Sequence, residues 1–313
     1  MNNPAARRLR RAFFFGCLLA AFGHVWAQSA LKSSPQQEAS PATDQTVIAA
    51  GDIVDCKKLS GSEATAKLLD AIPGTVLAVG DLAYPDGSDE NFRCYDKTWG
   101  RHKSRTRPVP GNHEYHTAQA AGYFRYFGSA AGDPGRGYYS FDLGSWHIIA
   151  LNSQCSVVGG CGEGSPQERW LRDDLQKNTS SCTLAFWHIP LFSSGSEHGN
   201  DLQMKDFWKD LYAAGADIVL NGHDHDYERF APQNPDGGAD PTHGIREFVV
   251  GTGGKNQRGF RKPLATTEVR SNSGFGVLQI SLRAHDYDWK FVPVAGGRFA
   301  DSGSGSCHPN RAK

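Results

Sequence analysis

Four apolar runs each hand the chain to a side chain that can bind a metal. Residues 46–50 lead into Gly51-Asp52, and residues 75–79 into Gly80-Asp81. Residues 183–187 lead into His188, and residues 216–220 into Asn221, Gly222 and His223. Runs that are apolar throughout predict strands covered on both faces, not strands with one wet side. Such strands, alternating with helical segments, predict an α/β sheet that gathers ligands at strand ends.

The helical segments have their own punctuation. Residues 62–72 form one. Ser165-Pro166-Gln167-Glu168 is a capping box with proline at the first helical position, opening a helix to about residue 176. Residues 201–214 form a third, closed by Gly215. A second, antiparallel group is expected from a hairpin, residues 138–142 and 146–151, and from strands at 246–250, 276–282 and 287–292. The expected fold class is therefore α/β, with two packed mixed sheets flanked by helices.

Composition narrows the setting. The 313 residues are 39% hydrophobic, enough for a sizeable core. Residues 1–27 read as a secretory signal: Arg7, Arg8, Arg10 and Arg11 precede an eleven-residue apolar run over residues 12–22. Without them 29 Lys and Arg stand against 33 Asp and Glu, a net −4 that gives no electrostatic reason to expect nucleic acid as a partner. Residues 28–44, rich in Ser, Ala, Gln and Pro, read as a flexible linker, and residues 45–310 as one catalytic domain. Beyond the signal, no membrane contact is expected, and the location is secreted or periplasmic. Six cysteines remain, an even number that an oxidising compartment would pair into up to three disulfides. Cys155 and Cys161 bracket a Gly-rich loop and suit a local pair; Cys56 with Cys94 and Cys182 with Cys307 are then the natural remainder, although sequence does not fix the connectivity.

The metal-binding blocks read Gly51-Asp52, Gly80-Asp81-Leu82-Ala83-Tyr84, Gly111-Asn112-His113-Glu114, Trp187-His188 and Gly222-His223-Asp224-His225. Two Asp, one Tyr, one Asn and three His make a mixed oxygen and imidazole set suited to Fe, Zn or Mn. Seven donors exceed one tetrahedral ion and suit two metals side by side. A carboxylate can bridge two ions, which a neutral ligand does poorly. Two His at i and i+2 in a loop can reach different ions.

This ordered set resembles the calcineurin-like metallophosphoesterase superfamily. Tyr84, three residues after Asp81, and the run from His223 to Arg229 resemble its purple acid phosphatase branch, in a single-domain form. The resemblance implies a four-layer α/β/β/α sandwich. It implies one ion, Fe(III), on Asp52, Tyr84 and His225, and a second, Zn, Mn or Fe(II), on Asn112, His188 and His223, with Asp81 bridging. It implies hydrolysis of phosphate monoesters by metal-bound hydroxide, with a small phosphate ester as partner. His113 then protonates the leaving oxygen, and His198 resembles a substrate-facing histidine of the family. A phosphodiesterase or nucleotidase on the same site, or a non-catalytic secreted module, remains the alternative. Gly251-Thr252-Gly253-Gly254 lacks the Lys-Ser/Thr of a phosphate loop and is expected at the site rim.

Overall fold

The computed structural model describes residues 44–308. The expected signal segment, the linker up to residue 43, and residues 309 and 310 lie outside the described residues.

In chain order the elements that position the site are β1 (Gln45–Ala50), β2 (Val54–Asp55), α1 (Ser60–Ala71), β3 (Thr75–Val79), β4 (Ala83–Tyr84), α2 (Asp89–Asp96), β5 (Thr106–Val109), α3 (Ala121–Phe127), β6 (Tyr139–Leu143), β7 (Trp146–Ala150) and α4 (Pro166–Lys177). The second half holds β8 (Cys182–Phe186), α5 (Lys205–Ala214), β9 (Ile218–Asn221), β10 (Tyr227–Phe230), β11 (Arg246–Val250), β12 (Thr267–Ser271), β13 (Gly276–Leu282), β14 (Asp286–Pro293) and β15 (Ser302–Ser306). Two large mixed sheets result. One runs β15-β14-β13-β1-β3-β5 and the other β12-β10-β11-β9-β8-β7-β6. The architecture is the expected pair of packed sheets with helices.

Two details differ from the sequence reading. The four ligand-bearing apolar strands do not share a sheet: β1 pairs parallel with β3, while β8 pairs parallel with β9 in the other layer. The hairpin β6–β7 is not a separate antiparallel group. β7 runs parallel beside β8, so the hairpin extends the second sheet. Apolar periodicity reports that both faces of a strand are covered, not which strand lies beside it.

Alternation along the second sheet shows how its faces are used. Leu184, Phe186, Ile218 and Leu220 pack into the large core shared with the first sheet. Ala185, Trp187 and Val219 face the opposite way, into a second cluster with Leu171 and Leu175 of α4 and Phe207, Trp208 and Leu211 of α5. This is the period-2 geometry of a strand buried twice. The helix signals hold locally. Ser165 caps α4 by accepting from the Glu168 amide, with Pro166 opening the helix. α5 starts later than expected, because residues 202–204 form a 3-10 turn first; it ends at Gly215, whose φ of 78° suits glycine.

Three disulfides join Cys56 to Cys94, Cys155 to Cys161 and Cys182 to Cys307. The last ties β8 of one sheet to the residue after β15 of the other. Among the described residues no helix is long and apolar enough to cross a membrane.

His147 on β7 lies between two carboxylates. Its Nδ1 is 2.8 Å from Asp142 Oδ1 and its Nε2 2.8 Å from Asp174 Oδ2. Both nitrogens must be protonated to satisfy both partners. Burial alone would lower its pKa, but hydrogen bonds to Asp174 and Asp142 win and raise it above the ordinary value. A raised histidine pKa adds stability that is full below the unfolded value, about 6.5, and fades as pH rises through the folded one. The thermal midpoint of His147→Gln should therefore trail that of the parent most on the acid side of neutrality, and the gap should shrink toward alkaline pH. A pH-independent gap in paired melting curves would refute this.

Candidate metal centre

The seven expected ligands converge at the C-terminal ends of strands from both sheets. Asp52 follows β1, Asp81 follows β3, Tyr84 closes β4 and Asn112 follows β5, all from the first half of the chain. His188 follows β8, while His223 and His225 follow β9. Thus the first layer and its short β2–β4 extension supply four donors and the second layer three.

Local backbone explains the motif spelling. Asp52, Asp81 and His223 all have positive φ, 59°, 50° and 72°. Such conformations cost energy outside glycine and mark a site held by its surroundings. Their glycine neighbours are required by crowding. A Cβ on Gly111 would lie 2.1 Å from Asp81 Oδ1, and one on Gly80 2.5 Å from His188. The motif glycines let ligand loops from different strands touch.

Two donor groups meet at one oxygen. Tyr84 Oη lies 2.8 Å from Asp52 Oδ1, 2.9 Å from Asp81 Oδ2 and 3.1 Å from His225 Nε2. On the other side, His188 Nε2 lies 3.3 Å from the same Asp81 Oδ2 and 3.2 Å from His223 Nδ1. Asp81, His188 and His223 by themselves group closely enough to hold an ion. The remaining oxygens of both aspartates are committed to backbone: Asp81 Oδ1 accepts from the His113 amide at 2.9 Å, and Asp52 Oδ2 from the His223 amide at 2.8 Å.

The donor chemistry fits two cations. One phenol proton cannot serve both carboxylates that face Tyr84 Oη. Burial, then the charges of Asp52 and Asp81, push the Tyr84 phenol well above its ordinary range, a conflict that a multivalent cation reverses. Asn112 Oδ1 is buried without a hydrogen-bond partner among the described residues. Burial would raise the Asp81 pKa, but His188 and His113 hold it far below the usual carboxylate range. The histidines are pushed apart. Burial opposes the charged form of His188, yet Asp81 raises it to about 9; burial and the neighbouring rings of His188 and His198 lower His223 to about 3.

Outer contacts orient the imidazoles. His188 Nδ1 is 2.9 Å from the Val79 carbonyl, so Nδ1 carries the proton and Nε2 faces the centre. His225 Nδ1 is 2.7 Å from Asn256 Oδ1, with the same effect. Asn256, 31 residues beyond His225 in an irregular loop, carries no sequence signal. Glu114 was visible inside its motif, but its role was not. It is fully buried and accepts from the amides of Leu82, Ala83 and Gly111 at 2.9, 3.2 and 2.7 Å. It thereby clamps the Asp81–Tyr84 segment to the Asn112 segment. Lys255 donates to Asp55 Oδ2 at 2.6 Å and sits 4.8 Å from the Tyr84 ring centre.

The two histidines expected to meet substrate both lie at this site. The His113 ring stands 4.3 Å from that of Tyr84, with Nδ1 2.6 Å from the Pro85 carbonyl and Nε2 3.8 Å from Asp81 Oδ2. His198 is exposed and stacks on His223 with ring centres 3.9 Å apart. Its Nε2 lies 2.6 Å from Arg258 Nη1. Behind the site Tyr227 and Arg229 both bind Asp301, and Glu228 takes Ser193 and Ser194, so the residues after His225 buttress the loop. The Gly251–Gly254 run lies under the site, not on its rim: all four residues are buried, and Gly251 donates to the Asp226 carbonyl.

Comparison with known proteins agrees with this geometry. The chain is 30% identical over 194 residues to Purple acid phosphatase 15 of Arabidopsis thaliana, covering 50% of this chain and 36% of that one. It is 34% identical over 195 residues to Purple acid phosphatase 21 of the same plant, covering 56% and 43%. The match thus spans less than half the length of each of these relatives. The structure of purple acid phosphatase PPD1 from yellow lupin (Lupinus luteus) seeds superposes with a TM-score of 0.73 at 17% identity, covering 85% of this chain and 54% of that one, which shows a shared fold. The profile of the calcineurin-like phosphoesterases matches residues 19–227, a stretch that includes every one of the converging donors. The chain therefore belongs to the calcineurin-like phosphoesterase family, in its purple acid phosphatase-like branch.

Proposed function

We propose that this chain is a secreted or periplasmic phosphoesterase with a dinuclear metal centre that hydrolyses phosphate monoesters. The observation that carries the reading is Asp81 Oδ2, 2.9 Å from Tyr84 Oη and 3.3 Å from His188 Nε2, shared by two donor groups. Asp52, Tyr84 and His225 would hold one ion, and Asn112, His188 and His223 the other, with Asp81 serving both. Tyrosinate is a hard anionic donor and favours Fe(III) in the first position; Zn, Mn or Fe(II) suits the second. Bound there, the ions would supply charge neutralisation for phosphate oxygens and an acidified water as nucleophile.

The protein's own groups do the rest. With both ring nitrogens protonated, His113 donates Nδ1–H to the Pro85 carbonyl and turns Nε2–H toward the centre, where it can pass its proton to the departing alkoxide. His198 is placed to orient substrate instead of transferring a proton through Nε2. The Arg258 guanidinium only donates, so the His198 Nε2 beside it must present a lone pair. Three disulfides among the described residues support an oxidising compartment.

A visible spectrum and metal analysis of the purified protein, followed by a screen of monoesters and diesters, tests this. Tyr84→Phe should abolish a visible charge-transfer band. A colourless, iron-free parent protein would sink the Fe(III)–Tyr84 assignment alone, while failure to cleave either ester class would sink the hydrolase reading.

A further inference from the structure

The segment over residues 253–274, an irregular loop that ends in β12, carries Lys255, Arg258, Arg261, Lys262 and Arg270 against a single acid, Glu268. Most of that charge is committed away from the centre. Lys255 is paired with Asp55, Arg261 Nε donates to the Ser196 carbonyl, Arg270 to Ser194 Oγ and the Arg261 carbonyl, and Glu268 is taken by Arg229 and Arg246. Arg258 differs in place and in the way it is held. Its amide donates to the His225 carbonyl at 3.0 Å, and its carbonyl accepts from Asn272 Nδ2 at 2.7 Å. The Ser196 amide donates to the Gly259 carbonyl at 2.9 Å, and the Arg261 amide to the Ser194 carbonyl at 2.7 Å, so the segment is stitched down on both sides.

The side chain is 17% exposed, with Nε 3.2 Å from Glu197 Oε2 and Nη1 on His198 Nε2. Because His198 stacks on His223, the guanidinium sits one imidazole ring beyond an expected ligand. Among the described residues Nη2 has no acceptor. A planar, permanently charged fork with unused donors, fixed before substrate arrives, is suited to a phosphate oxyanion. A departing aryl or alkyl group could not use it.

We propose that Arg258 forms a subsite for a second phosphate, so that the preferred substrates carry another phosphoryl group beside the scissile one. This rests on the phosphoesterase reading of the metal centre. Calorimetry of the purified protein with methylenediphosphonate and with methylphosphonate tests it without turnover. The parent should bind the diphosphonate at least about tenfold more tightly, as expected for an added charge-assisted contact. Arg258→Met should remove most of that advantage, and Arg258→Lys, which keeps charge but not the fork, only part of it. An advantage absent in the parent, or left unchanged in Arg258→Met because both ligands weaken equally or neither weakens, would overturn the subsite. If the parent cleaves no phosphate ester while the Arg258-dependent advantage persists, the hydrolase reading fails and the subsite stands. If it hydrolyses esters with no Arg258-dependent advantage, the subsite fails and the hydrolase reading stands.

Discussion

Replacing Asp81 by asparagine is expected to lower kcat/KM for a phosphate monoester by about three orders of magnitude, since losing charge stabilisation of several kcal/mol costs a decade per ~1.4 kcal/mol. The substitution is conservative in every respect but charge. Asparagine tolerates the φ of 50° at this position and can still accept from the His113 amide. What it cannot do is place an anionic oxygen between Tyr84 and His188. Metal content should fall with activity, while circular dichroism stays that of the folded parent. Near-parental turnover with full metal content would remove Asp81 from the bridging role and with it the main support for a dinuclear site.

Glu114→Ala should be the most destabilising single change around the centre. It orphans three buried amides, those of Leu82, Ala83 and Gly111. At about 1–3 kcal/mol for each unsatisfied buried donor, the loss is at least about 3 kcal/mol. For a domain of this size that lowers the thermal midpoint by on the order of 10 °C. Glu114→Gln keeps one acceptor oxygen and should fall between the two. An unchanged melting curve for Glu114→Ala would mean that the clamp contributes nothing. Activity should fall as well, because the clamp joins the loop carrying Asp81 and Tyr84 to the loop carrying Asn112.

Much of this site was legible in the chain because its chemistry is written in short blocks. Gly80-Asp81 and Gly222-His223 combine a donor with the glycine that lets it approach its neighbours. The Ser165 cap and the Gly215 stop are local devices, and local devices leave local spelling. The assignment of strands to layers was not legible. Residues 183–187 and 75–79 look alike, yet they lie in different sheets, because pairing is decided by chain topology over long separations. β15, with its Ser-Gly-Ser-Gly-Ser sequence, carries almost no strand propensity and is recruited by pairing with β14. Asn256 and Arg258 sit in a loop without periodicity, where only the folded structure shows that one orients His225 and the other reaches His198. The tautomer of His198 likewise depends on an arginine 60 residues away, a distance no local pattern spans.

The division of the seven donors between two layers makes the distance between the two donor groups a property of the whole sandwich. Four donors ride on one sheet and its extension, and three on the other. The gap between those groups is set by Leu184, Phe186, Leu220 and the residues opposite them. Interiors are close-packed and transmit even a methylene-sized change in volume. Repacking deep inside the sandwich can therefore alter the reach between the two donor groups, with every donor side chain left in place.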